Sequence, residues 1–371
     1  MNYISRTLLK TICLAIFLLF IQNAYSQIDT VLSPGKWSIG ASVHRGFIIA
    51  HRSAIVHLQD RHPSELELSY LKTADGSKEW HHNYNHPQYG LGYKFFDFGN
   101  DRELGYGHSL FGQIIYPMIK KNRLRLGLKL GVGVGYVEKP FNSIDNYKNL
   151  AIGSNLNGYV NTGIQFRFLS KNKLQFNAGI DFAHFSNGSI RKPNLGINLP
   201  SINFGVIYFP GEALLNNTAF EKSPKRKAHF SGITAFAIKD LFPPGGPRYF
   251  VNILHLHYDH PIKKKGFLGG GLEFILDRSL YKQLEDEKLP NNKLIDVLRS
   301  GIFVSAGINM GPWDGFLQVG TYTYDQLKLD GNIYNRLLLR YAFSKHVFTS
   351  LGLKSHYGRA DYFEFGIGYK L

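Results

Sequence analysis

The 371-residue chain has one cysteine, Cys13, and it lies inside an N-terminal apolar run. If that run is removed as a leader, no thiol remains. Disulfides, thiol catalysis and cysteine-held zinc are then excluded. Long apolar stretches are also missing. The run at 12–21 falls well short of the roughly 20 residues that a helix needs to cross a bilayer. Acids are scarce, with 27 Asp and Glu against 43 Lys and Arg, for a formal net charge of +16. Such a balance suits an anionic surface or a cation-lined interior. Nucleic acid is not an expected partner, because the positive residues are interleaved with apolar ones. The exceptions, Lys222 to Lys227 and Lys263 to Lys265, read as solvated turns. Glycine is plentiful, at 39 residues, but none falls in a P-loop or dinucleotide fingerprint, so no nucleotide cofactor is expected.

The N-terminus carries an export pattern. Arg6 and Lys10 precede the apolar run, and Ala24-Tyr25-Ser26 offers the small residues of a cleavage site. Residues 1–26 are therefore expected to be a cleaved signal peptide, with the mature chain starting near Gln27. The surroundings of Cys13 lack the small residue that follows a lipoprotein cysteine.

What the chain does have is alternation. Leu124, Leu126, Leu128, Leu130, Val132, Val134 and Tyr136 line one face of a strand, opposite Arg125, Gly127, Lys129, Gly131, Gly133 and Gly135. Val160, Thr162, Ile164, Phe166 and Phe168 repeat the pattern. The last residues do so again, with Phe363, Phe365, Ile367, Tyr369 and Leu371 on one face. Apolar and aromatic groups on one side, with glycine and polar groups on the other, suit a wall between hydrocarbon and a polar lumen. The expected fold is all-β: a transmembrane antiparallel β-barrel of the Gram-negative outer membrane, closed as one barrel of about fourteen to sixteen strands. Ser170 to Lys173 and Ser344-Lys345 read as tight periplasmic turns. Residues 138–155, 186–198 and 277–298 then read as extracellular loops, the last with a short helix. Residues 210–227 divide the chain, so 27–210 and 211–371 are expected to be two sets of strands. A faint echo links them: His184, a loop and Gly205 to Tyr208 against His356, a loop and Gly366 to Tyr369.

The chemistry concentrates in His184-Phe185-Ser186-Asn187-Gly188. Leu174, Phe176, Ala178, Ile180 and Phe182 set the outward parity of this strand, and His184 and Ser186 share it. A histidine and a serine two apart on one strand face suit base activation of a hydroxyl nucleophile. On the next strand Ile202, Phe204, Val206 and Tyr208 point outward, and the same parity carries back to Asn198.

This His-x-Ser-Asn pattern, followed twelve residues after the serine by Asn198, resembles the lipid A 3-O-deacylase (PagL-like) family of outer-membrane barrel esterases. Acyloxyacyl hydrolase-type proteins of Bacteroidetes are similar too, through Pro193 to Asn198. The resemblance covers about residues 27–210. It implies His184 as general base, Ser186 as nucleophile and Asn187 as part of an oxyanion hole. It also implies a substrate, the lipid A of lipopolysaccharide, that belongs to the membrane itself. Asn198 stands where the family has a glutamate. An amide can hold an imidazole but cannot stabilise an imidazolium by charge, so catalysis is expected to be slow. Arg191 and Lys192 are candidates for lipid A phosphates. No metal or other cofactor is expected. The competing expectation is a channel or structural barrel with a degenerate site.

Other clusters read as structural. Trp80 to His86 is a polar loop, while His255, His257 and His356 have the parity of the lumen.

Overall fold

The computed structural model describes residues 37–121, 123–168, 173–210 and 226–371. The expected signal peptide, Ser170 to Asn172 and most of the 210–227 divide lie outside these residues. Among the described residues the alternating segments form sixteen antiparallel strands, but they do not close as one barrel. They close as two barrels of eight. The first comprises β1 (Trp37–Gly46), β2 (Ser64–Thr73), β3 (Gln88–Asp97), β4 (Tyr106–Lys121), β5 (Leu124–Val137), β6 (Leu156–Phe168), β7 (Leu174–Ser186) and β8 (Ile197–Tyr208). The second comprises β9 (His229–Asp240), β10 (Arg248–Ile262), β11 (Gly266–Asp277), β12 (Leu298–Met310), β13 (Trp313–Tyr324), β14 (Ile333–Ala342), β15 (Val347–His356) and β16 (Arg359–Lys370).

Alternation explains each strand but is blind to closure. β8 returns to β1, with Ile39 opposite Tyr208 and Gly46 opposite Ser201, instead of continuing to β9. β16 returns to β9 in the same way. The size of the inward side chains accounts for the narrow solution, since eight strands enclose only enough room for side chains to fill. In the first barrel, Lys129 Nζ lies 2.7 Å from Glu67 and 3.2 Å from Asp181, and Lys94 Nζ lies 2.9 Å from Glu65. In the second, Arg336 bridges Glu273 at 2.7 Å and Glu364 at 3.0 Å. There Lys354 reaches Glu273 at 3.0 Å, and Arg340 reaches Asp259 at 2.7 Å. His255 and His257 point into this lumen, against Glu364 and Arg340. Buried charges are tolerated when paired, and both lumens are paired throughout their middle.

Towards the long loops the first lumen turns apolar. Phe96, Phe98, Tyr159, Ala183, Phe185, Ile197 and Leu199 form a core under the loops. Phe185 meets Phe96 and Tyr159 with ring centroids 5.0 Å away in each case, in edge-on geometry. Outside, both barrels present apolar side chains such as Phe176, Ile180, Ile202, Phe204, Leu317 and Ile367. No helix among the described residues is long and apolar enough to cross a membrane. The expected helix in the loop after β11 is present, at Ser279–Asp286.

Removing Arg336 leaves two buried carboxylates without their shared cation. Arg336→Met should cost about 3–5 kcal/mol of stability, read from urea unfolding of the protein folded in detergent. A change below about 1 kcal/mol would contradict the paired-lumen description.

Candidate functional site

Two levels of the first lumen hold β7 in register. Asp181 joins the lysine cluster, while Ala183 and Phe185 enter the apolar core, both fully buried. The two-residue period therefore turns His184 and Ser186 to the outer surface, as their parity predicts. His184 lies directly opposite Asn198 on β8. Side chains on one face of such a pair stand about 5 Å apart at Cβ, within reach of each other. The histidine Nδ1 and the asparagine Oδ1 are 2.7 Å apart. The amide oxygen can only accept, so Nδ1 carries the proton and Nε2 keeps its lone pair.

The other end of the Asn198 amide is also engaged. Its Nδ2 donates to Nδ1 of His51 at 3.1 Å. Backbone pairing places that histidine. Beyond β1 the chain keeps following β8, through Phe47 N to Pro200 O at 3.2 Å and Ile49 N to Asn198 O at 2.9 Å. His51 then lies over Asn198. Gly196 completes the setting, because its φ of +83° and its approach to the His184 ring leave no room for a Cβ.

Ser186 is 8% exposed. Its Oγ accepts from Asn194 Nδ2 at 2.9 Å and from the Gly188 N–H at 3.3 Å. The hydroxyl proton is committed to neither. Asn187 does not extend its side chain to Ser186. Its Nδ2 donates to Ser154 Oγ and to the Arg191 carbonyl, each at 2.9 Å, and its N–H goes to Asn194 Oδ1 at 3.0 Å. It fastens the loop, and Asn194 is the amide that reaches the serine. The strand pattern gave no signal for Asn194 or His51, since both lie in loops where parity carries no information.

Arg191 lies 3.8 Å from Asp240 of the second barrel and donates to Gly246 O at 3.4 Å. Lys192 Nζ donates to Ser189 Oγ at 3.0 Å. Burial, then the nearby Arg359 charge, hold this ammonium below its ordinary range. Two other clusters carry metal-ligating residue types. His44, Glu67 and Asp181 converge inside the first barrel, but Lys94 and Lys129 already hold those carboxylates. In the Trp80 to His86 segment, His82 and His86 bond the backbone carbonyls of Gly76 and Ala74.

Two family models match the chain. The model described as lipid A 3-O-deacylase (PagL) matches residues 64–206, and the one described as acyloxyacyl hydrolase, C-terminal domain, matches residues 227–371. Among curated proteins, none matches in sequence. Among solved structures, neisserial surface protein A is similar at 10% identity and a TM-score of 0.33, over 48% of this chain and 99% of its own. A mutant porin of Rh. blastica is similar at 11% identity and a TM-score of 0.19, over 90% of this chain and 99% of its own.

The Asn198 contact predicts the imidazole tautomer. Nitrogen-15 spectra of histidine-labelled protein should show His184 protonated on Nδ1 at neutral pH, assigned by its loss in His184→Gln. Asn198→Leu should shift the population towards the Nε2–H form. An unchanged tautomer in that variant would remove Asn198 from the site.

Proposed function

Since this chain belongs to the PagL-like family of lipid A deacylases, we propose that it is an outer-membrane serine esterase that removes an ester-linked 3-hydroxyacyl chain from lipid A. The observation that carries this reading is the outward row of Ser186, His184 and Asn198, with His184 Nδ1 held 2.7 Å from the Asn198 oxygen. A lipid substrate approaches a barrel from its outer face, and a site on that face suits it.

In the proposed reaction, Nε2 of His184 takes the hydroxyl proton as Ser186 Oγ bonds to the ester carbonyl carbon. Asn194 Nδ2 and the Gly188 N–H, which donate to Oγ in the resting site, are proposed to pass to the developing oxyanion as Oγ bonds to carbon. Collapse breaks the bond to the sugar oxygen, which leaves with the proton from His184. Water then attacks the acyl-serine through the same base, releasing the fatty acid and restoring the hydroxyl. Asn198 keeps the imidazole in its reactive tautomer without lending it charge. His51 keeps the Asn198 amide oriented by accepting from Nδ2. Asn187 secures the loop that carries these groups, and Arg191 and Lys192 are the two loop cations proposed to meet a lipid A phosphate. Export through the N-terminal signal and insertion in the outer membrane complete the reading. The filled lumens favour it over a channel.

The test incubates the folded protein with lipopolysaccharide and follows lipid A by mass spectrometry. Wild type should lose one hydroxyacyl chain, and Ser186→Ala should lose none. Asn198→Glu should accelerate the reaction by about tenfold or more by restoring the charge. His51→Leu should slow it, with His51→Gln, which can still accept, in between. Intact lipid A in every case, from folded protein, would overturn the esterase reading. Steady ion-conducting steps in planar bilayers would support a channel instead.

A further inference from the structure

The nucleophile does not face open lipid. Ser186 lies opposite Gly158 on β6, and two residues beyond it is Gly188. Against both glycines rests the ring of Phe363, which β16 of the second barrel turns outward. A Cβ on Gly158 would stand 2.6 Å from the Phe363 ring tip, and a Cβ on Gly188, whose φ is +59°, would collide with the same ring. Only a floor without side chains admits the ring beside Ser186. Polar contacts fix the seam around it. Asp240 N donates to Ser189 O at 2.8 Å, Ser189 Oγ donates to Ala360 O at 2.9 Å, and Lys192 N donates to Asp240 Oδ2 at 3.1 Å. Asp240 is 1% exposed and Ser189 is 3% exposed, so these bonds work away from solvent and tie the serine loop to β9 and β16.

We propose that Phe363 is a specificity-determining residue supplied by the second barrel: its ring forms the wall against which the acyl chain of an ester must lie to reach Ser186. The proposal rests on the esterase reading. A rigid aromatic wall beside a nucleophile limits the methylenes that fit between them, and each methylene accepted or refused shifts selectivity by roughly tenfold or more. The second barrel thus takes part in recognition through its outer surface, while its lumen stays filled.

Two measurements on the full-length folded protein test this. The first compares kcat/KM for p-nitrophenyl butyrate and p-nitrophenyl laurate in detergent micelles. Phe363→Ala should change the laurate-to-butyrate ratio by roughly tenfold. Phe365→Ala, on the same outward face one pair further along β16, should leave the ratio unchanged. The second needs no esterase activity. In a Cys13-free mature chain, Ser186→Cys is alkylated by N-ethylmaleimide and by N-dodecylmaleimide, with and without Phe363→Ala. The ratio of the two rates should shift in the direction seen with the esters. An unchanged ratio in both measurements overturns the proposal, even if Phe363→Ala slows every rate uniformly. A protein inactive towards esters whose maleimide ratio still shifts would retain the wall and discard the esterase.

Discussion

An eight-stranded barrel holds side chains inside and little else, so every group that points inward must find its partner there. That constraint sets the outer surface as well. Asp181 belongs to the lysine cluster of the first lumen, and Phe185 belongs to the apolar core above it. A one-residue slip of β7 would push Asp181 out among Phe176 and Ile180 and draw Ser186 into the lumen. The direction in which the serine faces is therefore decided by ion pairs and aromatic contacts on the other side of the wall.

Parity made the strands legible, and with them the outward facing of His184, Ser186 and Asn198. It also gave the inward facing of His255, His257 and His356. Closure was not legible, because a strand's alternation says which face is apolar and nothing about which neighbour it pairs with. The same pattern serves one wide barrel or two narrow ones. Within the site, His51 and Asn194 stayed hidden for a related reason. Each reaches its place through a loop, one by following β8 past the end of β1, the other by folding back over the serine. Asn187 shows the converse. Its neighbourhood in sequence suggested chemistry, while its hydrogen bonds to Ser154 and Arg191 give it a structural task.

The two barrels answer a common plan differently. In each, the seventh strand ends near a histidine: His184 on β7 and His356 on β15. His356 faces inward, 2.8 Å from the Tyr322 hydroxyl, below the two-residue turn Tyr357-Gly358. A turn that short has no room for the asparagine-laced loop that surrounds Ser186. What the second barrel contributes at the corresponding level is Phe363 and the carbonyl of Ala360, both directed at its neighbour.

The seam between Ser189, Asp240 and Ala360 also bears on what the first barrel holds by itself. β1 to β8 close on one another through the pairing of β8 with β1, so closure of the first barrel uses no strand of the second. Asn187 and Asn194 fasten the serine loop from within, but the bonds that tie it to its neighbour require β9 and β16 beside it. A first barrel standing alone would carry the histidine and the serine without the bonds from Asp240 and Ala360. The order around the serine is therefore a property of the pair of barrels and not of the first one alone.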